Sequence, residues 1–285
     1  MRKLTAFVLA LLLVFSSSAC GNDNSVGQSL NNEKSEDTDD YKTTTELSYG
    51  EEGVFVGKIL GEGILCYLQM DDTVHFTNEN GKEYDYDVIR FYGKDSVAIE
   101  DGGYVGKTVV IKGTIYDYRG SSYYFESFDI IHEQGETIAP QTVESLPGWD
   151  AMTNNEKTWA AIREFIVILY RSELFDDVEA MMDEDAASYI KQFSAEDGSC
   201  VTCYPVRICI DGLWLSGTPD SLGVSFAFDV YENHFRVQIF HPYEMSPHLW
   251  EYDWNGNCID QKNMLDESDS RTAAEFLKCC IAGLS

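Results

Sequence analysis

The order of apolar and polar positions divides the chain into stretches of different character. Residues 4–15 form an almost unbroken apolar run, and residues 21–53 are almost entirely polar. Residues 54–131 then alternate between apolar and polar positions. Residues 153–169 carry apolar residues at helical spacing, and the period returns to two after Gly198. These patterns predict, in order, a targeting segment, an unstructured segment, a β domain, and a domain in which helices precede strands.

The alternating stretch predicts a small β domain over residues 54–133. Asn80-Gly81 lies between two alternating runs, which is the strongest short signal for a hairpin. Further on, alternation places Val109, Ile111 and Ile115 on one face of a strand. Several short strands with glycine turns and no helical period predict a closed or nearly closed barrel.

The remaining sequence predicts a linker over residues 134–152 and an α+β domain over residues 153–285. Thr153-x-x-Glu156 has the spacing of a capping box at the start of a helix. A second helical stretch is predicted over residues 173–193, and a closing helix is predicted after a cap at Ser268. Because the helices precede an antiparallel meander, the predicted fold class is α+β, with helices packed on an antiparallel sheet.

Composition and charge narrow the function classes. The 285 residues allow one or two domains, and a hydrophobic fraction of 44% is ordinary for packed globular structure. Acidic residues outnumber basic ones by 49 to 20, which gives a formal net charge of −29. Such a field disfavours nucleic acid as a partner, and it favours solubility or cationic partners.

The N-terminal segment predicts where the protein is located. Arg2 and Lys3 precede an apolar run that is too short to cross a bilayer core of ~30 Å, and small residues stand before Cys20. This stretch, SSSACGN, resembles the lipobox of bacterial lipoproteins. The resemblance implies that residues 1–19 are a signal peptide, and that Cys20 becomes the first residue of the mature chain and carries the lipid anchor.

The expected location is therefore the extracytoplasmic face of the cell membrane, with palmitate-like acyl chains as the anchor. Two acyl chains hold a protein durably on a membrane, because each buried methylene contributes about 0.8 kcal/mol. Residues 20–53 are expected to form a disordered tether, since they have too little apolar surface to fold. The alternative is a freely secreted protein in which Cys20 has no role.

The segment GKTVVIKGTIYDYRG, residues 106–120, resembles a strand and turn of the OB-like domains found in bacterial exported proteins. OB folds bind oligonucleotides or sugars across a strand face that carries aromatic side chains. The resemblance implies a candidate ligand-binding platform made of Tyr116, Tyr118, Tyr123 and Tyr124. The alternative is that these tyrosines cover the sheet and pack against the second domain. The order of elements in the last domain resembles cystatin-like and nuclear-transport-factor-like folds.

Few residues suggest chemistry. Cys200 and Cys203 form a C-x-x-C pair, but they precede a strand rather than open a helix, so the thiolate activation known from redox motifs is not expected. His241, Glu244 and His248 could form a loose metal or acid–base set, yet their spacing favours surface histidines. The Asp253–Asn257 segment imitates a calcium loop but is better explained as a hairpin turn. No metal site and no cofactor are predicted.

These observations favour a membrane-anchored surface lipoprotein that acts as a non-catalytic binding or protein-interaction module. Its expected partner is a protein, a peptide or a carbohydrate. Two alternatives stay open. One is a thiol-redox or other extracytoplasmic enzyme that uses Cys200 and Cys203, and the other is a small-ligand-binding protein with a pocket in the second domain.

Overall fold

The computed structural model describes residues 41–118, 122–136, 142–182, 191–195, 198–215, 223–241, 247–263 and 270–284. The backbone alone is described at residues 117–118, 182, 191–195, 198–205, 262–263 and 284. The predicted signal peptide, Cys20 and residues 21–40 of the predicted tether lie outside the described residues, whereas the rest of that predicted tether contains a strand at Glu46–Ser48. All the described residues belong to one compact unit, which contains two β-sheets.

The first sheet contains six strands and is accompanied by one helix. Its elements are β1 (Glu46–Ser48), β2 (Gly53–Leu60), β3 (Tyr67–Thr77), β4 (Glu83–Arg90), α1 (Gly93–Asp101), β5 (Thr108–Tyr118) and β6 (Ser122–Gln134). The strand order is β1-β3-β2-β5-β6-β4, and β3 also pairs with β4. As a result, each strand from β2 to β6 has a neighbour on both sides.

Local sequence explains the turns and bends of this sheet. The predicted hairpin at Asn80-Gly81 is confirmed, because it joins β3 to β4 and Gly81 has a φ of 74°. Val109, Ile111 and Ile115 are all buried, as predicted, but Val110 is buried too, at a shift in register between β5 and β6. Gly113 lies so close to β6 that a Cβ atom there would stand 2.3 Å from the carbonyl oxygen of Ser127.

The second sheet follows a long helix and is closed by another helix. The elements are α2 (Asn154–Arg171), β7 (Val178–Met182), β8 (Lys191–Ala195), β9 (Gly198–Ile210), β10 (Leu213–Leu215), β11 (Ser225–Val230), β12 (His234–Phe240), β13 (His248–Asp253), β14 (Cys258–Asn263) and α3 (Ala273–Leu284). Strands β10-β9-β11-β12-β13-β14 are neighbours in that order, and β7 and β8 both pair with β9.

The N-termini of α2 and α3 both have capping boxes formed by residues close together in the sequence. Glu156 N–H donates to the Thr153 hydroxyl while the Glu156 carboxylate accepts from Thr153 N–H, so the predicted capping box is confirmed. Helix α3 has the same reciprocal arrangement between Thr272 and Glu275. The closing helix therefore begins later than predicted, and Thr272 rather than Ser268 caps it.

One predicted helix is wrong. Residues 173–193 contain strong helix formers, yet the structure has β7 and the start of β8 in this stretch. Val178 is buried and Ala180 packs on the core, whereas Met181 is 48% exposed, which is the alternation of a half-buried strand. Pairing with β9 outweighs local helix propensity here, because a strand beside β9 satisfies its backbone groups and buries one face.

Each sheet encloses its own hydrophobic core. Phe55, Phe76 and Phe91 belong to the core of the first sheet, and Phe165, Phe226 and Phe228 belong to the core between α2 and the second sheet. The fold class is α+β, as predicted: the described residues are mostly strand, arranged in two sheets with three helices. No helix within the described residues is long and apolar enough to cross a membrane.

Candidate functional site

The structure brings together two of the four tyrosines predicted to form a platform. Tyr116 on β5 and Tyr124 on β6 are directly paired across the two strands. Their rings stack with centroids 5.8 Å apart and an angle of 26° between the ring planes. Tyr123 packs with a different group of aromatic residues, since it stacks on Tyr86 at 4.1 Å and contacts Phe76 edge-on.

The other predicted site residues are described by backbone alone or lie outside the described residues. Tyr118 is the last residue of β5, and Cys200 and Cys203 lie within β9. The backbone at both cysteines is therefore that of a strand and not of a helix N-terminus. Cys20 lies outside the described residues.

Tyr92, which the sequence analysis did not identify, extends the pair of tyrosines towards the second sheet. It lies two residues after the end of β4, and its ring meets that of Tyr124 edge-on with centroids 5.7 Å apart. Its hydroxyl donates a hydrogen bond to Oε1 of Glu179 on β7. The contact joins residues 87 positions apart in the chain, so no local sequence pattern could have revealed it.

Glu179 and an exposed tryptophan lie in the same row of residues across the second sheet. Glu179 on β7 and Trp214 on β10 are both paired with Cys209 on β9. Residues directly opposite each other in antiparallel strands share a face of the sheet, so Glu179 and Trp214 flank Cys209. Trp214 is 47% exposed, whereas the Cys209 side chain between Glu179 and Trp214 is buried.

These contacts define a surface that crosses from one sheet to the other. We call it the aromatic strip, and its members are Tyr116, Tyr124, Tyr92, Glu179 and Trp214. Tyr116, Tyr124, Tyr92 and Glu179 are half-buried, and Trp214 is exposed. The strip therefore offers aromatic surface and a carboxylate in one line.

The charges on and beside the strip are predominantly negative. Burial raises the pKa of Asp177, and the negative charges of Glu179 and Asp211 raise it further. Burial likewise raises the pKa of the Cys209 thiol, again with a contribution from Glu179. The pKa of Tyr92 is raised by burial and by its hydrogen bond to Glu179. At neutral pH Tyr92 is therefore a neutral hydrogen-bond donor beside a cluster of carboxylates.

A cation lies beside the first-sheet part of the strip. Arg90, the last residue of β4, is paired in register with Tyr124 and is exposed. Within the described part of the chain, Arg90 forms no ion pair. The strip therefore has a guanidinium beside Tyr124 and carboxylates near Trp214.

Contacts between the two sheets hold Tyr92 and Glu179 in place. The side chain of Arg171, at the end of α2, donates to Asp101 at 2.8 Å and to Glu100 at 3.2 Å, both on α1. Lys94 on α1 pairs with Asp176, just before β7, at 2.9 Å. All three ion pairs are largely exposed, so each contributes little on its own, but together they favour one orientation of α1 against α2 and β7.

Glycine at position 93 permits a close approach between α1 and Tyr170 of α2. Gly93 has a φ of 48°, and a Cβ atom there would stand 2.6 Å from the Tyr170 hydroxyl oxygen. That hydroxyl donates to Val178 O at 3.0 Å and accepts from Val178 N at 2.9 Å. Because Tyr170 is tied to β7, a larger residue beside Tyr92 would separate the two sheets at the strip.

Of the histidine set considered from the sequence, Glu244 lies outside the described residues. These residues hold no group of three or more His, Cys, Asp or Glu side chains arranged for a metal ion. His248 is not a surface histidine as predicted: it is 3% exposed, and its ring lies 4.0 Å from that of Phe276. The Asp253 carboxylate accepts from Asn255 and Asn257, which confirms the hairpin turn.

Comparison with known proteins adds no family to this description. Neither a protein-family model nor a curated protein sequence matches the chain.

Proposed function

We propose that the chain is a membrane-anchored surface lipoprotein, and that its folded part is a non-catalytic binding module which presents the aromatic strip to an extracytoplasmic partner. The observation that carries the proposal is the strip itself, which joins aromatic rings of the first sheet to Glu179 and Trp214 of the second. A surface that combines partly exposed aromatic rings with a few polar groups is typical of binding sites for peptides and carbohydrates.

We infer further that the first sheet forms an OB-like barrel, and this inference supports the proposed binding role. The pairings β2-β3, β3-β4, β4-β6, β6-β5 and β5-β2 return to their starting strand, and β4 and β6 are parallel. Gly57 and Gly113 allow the close strand approaches that a small barrel needs at its corners. Register shifts between β5 and β6 bend the same strands. OB folds bind ligands beside the strands and loops that carry Tyr92, Tyr116 and Tyr124 here.

The second sheet completes the strip and is part of the same proposal. Helix α2 packs against its inner face, an arrangement that resembles the cone of cystatin-like and nuclear-transport-factor-like domains. Phe165, Phe226 and Phe228 are fully buried between the helix and the sheet. These rings fill the space where a cone would hold a small ligand, so no described feature favours a small-molecule pocket there.

The anchor at Cys20 supplies the location in this proposal. It rests on the basic head, the short apolar run and the small residues that precede the cysteine. The net charge of −29 supports a body that stays off an anionic membrane surface, because like charges repel at short range. The polar residues after Cys20 give that body a tether to the membrane.

An enzymatic role finds less support among the described residues. A redox C-x-x-C pair needs a helix N-terminus or a neighbouring cation to lower its thiol pKa. The backbone of Cys200 and Cys203 belongs to the first half of the long strand β9. The strip itself contains aromatic rings and a carboxylate, but no nucleophile paired with a base.

A binding panel tests the proposed function. The mature protein in detergent micelles is titrated by calorimetry with basic, acidic and neutral peptides and with a neutral oligosaccharide. At least one ligand should bind, and Tyr124→Ala should weaken it about fivefold, because aromatic contacts contribute roughly 1 kcal/mol each. Tyr49→Ala is the matched control, since Tyr49 is 47% exposed and lies outside the strip. Binding that is insensitive to Tyr124, or absent with every ligand, would contradict the proposal.

A further inference from the structure

The residues at the second-sheet end of the aromatic strip indicate which class of ligand the strip binds. Two large apolar side chains are exposed there: Met181 on β7 at 48% and Trp214 on β10 at 47%. Glu179 and Trp214 are both paired with Cys209 of β9, and Met181 lies two positions after Glu179 on β7. Glu179 therefore lies between the two exposed side chains on this face of the sheet. Exposed apolar residues grouped with a charge on one sheet face are typical of a surface that a partner covers.

The carboxylates around this surface lack a matching number of cations. Glu179 accepts one hydrogen bond, from the Tyr92 hydroxyl, and its second carboxylate oxygen has no partner within the described part of the chain. Asp211 caps the start of β7 by accepting from Asp176 N–H at 2.8 Å and Asp177 N–H at 3.0 Å. Its position brings a third carboxylate beside Asp177 and Glu179.

Three cations lie near this region. Lys94 pairs with Asp176, and Lys278 on α3 donates to the carbonyl oxygen of Leu174. Arg207 stands opposite Met181 on β9, on the same sheet face as Glu179, and has interactions of its own. The raised pKa of Asp177 and that of Cys209 agree with this arrangement, because after burial the largest contribution to each is the negative charge of Glu179.

We propose that this end of the strip binds a lysine- or arginine-bearing extended peptide segment of a partner protein, with a cationic side chain placed between Trp214, Tyr92 and the Glu179 carboxylate. The inference rests on the proposed function and deepens it by naming the ligand. An ammonium or guanidinium group gains from the faces of aromatic rings as well as from carboxylates. The peptide's apolar stems and side chains cover Met181 and Trp214, and the acidic body of the protein steers a basic segment towards the strip.

The test must separate this site from general attraction to an acidic protein. The mature protein in detergent micelles is titrated with a lysine-rich peptide at about 0.15 M salt, where exposed charges are largely screened beyond ~8 Å. A glutamate-rich peptide of equal length and a neutral β-linked glucose oligomer are the comparison ligands. Glu179→Gln is isosteric and keeps an oxygen that accepts from Tyr92, so it removes charge without disturbing the fold.

Two matched controls fit the two site variants. Glu83→Gln removes one exposed carboxylate at the far end of β4, and Tyr49→Ala removes an aromatic ring as exposed as that of Trp214. We expect Glu179→Gln to weaken the lysine-rich peptide about tenfold, as for a hydrogen bond to a charged group. Trp214→Ala should weaken it about threefold, as for an exposed cation–π contact. Each control should change the affinity less than about twofold.

The outcomes distinguish this inference from the proposed function. Equal effects of Glu179→Gln and Glu83→Gln, with none from Trp214→Ala, would mean attraction by net charge alone and would overturn the inference. Binding of the glucose oligomer that depends on Trp214, with no peptide binding, would also overturn it but leave the proposed function standing. Failure of every ligand to depend on Tyr124 or Trp214 would refute both.

Discussion

Glu164 gives the sharpest stability prediction that the structure allows. Its carboxyl lies on α2 close to the turn between β13 and β14, where a Cβ atom on Gly256 would stand 3.1 Å from Oε1 of Glu164. Burial raises the pKa of Glu164 from 4.5 to about 7. The positive charge of Arg171 opposes this rise, and the negative charges of Glu100, Glu62 and Asp253 add to it.

The sign of the pH dependence follows from the direction of this shift. In the unfolded chain Glu164 ionises near its ordinary pKa, whereas in the folded protein it holds its proton up to about pH 7. The folded state therefore loses stability as pH rises through the folded pKa, and it keeps that stability below the unfolded pKa. A rise from 4.5 to about 7 corresponds to about 3 kcal/mol for a carboxyl sealed from water. Glu164 is partly exposed, so screening lowers the expected effect to about 1–2 kcal/mol.

Glu164→Gln isolates this effect, because glutamine has the shape of the protonated acid and does not ionise. Denaturant titrations of both proteins should give nearly equal free energies of unfolding at about pH 5, and should make the variant more stable by about 1–2 kcal/mol at about pH 8. Glu144→Gln, at an exposed position, controls for the loss of one charge from an acidic protein. A variant that is no more stable at the higher pH, or a difference that is the same at both, would refute the reasoning.

Two further predictions concern the helix cap and the contact between the sheets. Thr272→Ala removes the capping box of α3 and should lower the free energy of unfolding by about 1 kcal/mol, while Ser270→Ala, just outside that cap, should leave it unchanged; denaturant titration distinguishes the two. Gly50→Ala, in open space at a φ of 79°, should cost about 1–2 kcal/mol for its left-handed backbone. Gly93→Ala should cost clearly more, because its Cβ also meets the Tyr170 hydroxyl, and equal losses in the two variants would show that this contact is unimportant.

Local sequence was sufficient for the elements whose signals are short in range. The Asn80-Gly81 hairpin, the Thr153–Glu156 capping box and the α+β order could all be predicted, because each depends on residues close together in the chain. The helix predicted over residues 173–193 was wrong for the complementary reason. Its residues favour a helix on their own, and only the presence of β9, far along the sequence, makes β7 a strand.

The candidate site was predictable only at one end. The resemblance to OB-like domains suggested Tyr116 and Tyr124, which are neighbours on one hairpin. Tyr92, Glu179 and Trp214 come from three distant parts of the chain and meet only when the two sheets pack together. No rule of sequence spacing relates these three residues, because they become neighbours only through the packing of the two sheets.

The intact mass of the protein extracted from its native membrane tests the central claim of a lipid-anchored module most directly. Free thiols are alkylated under denaturing conditions before the measurement, so the same spectrum counts the cysteines that are neither bridged nor lipidated. The account predicts a chain that begins at Cys20 and carries the added mass of acyl chains. A chain cut at another position and free of lipid would contradict it, because the protein would then be freely secreted and the strip would have no fixed place at the membrane.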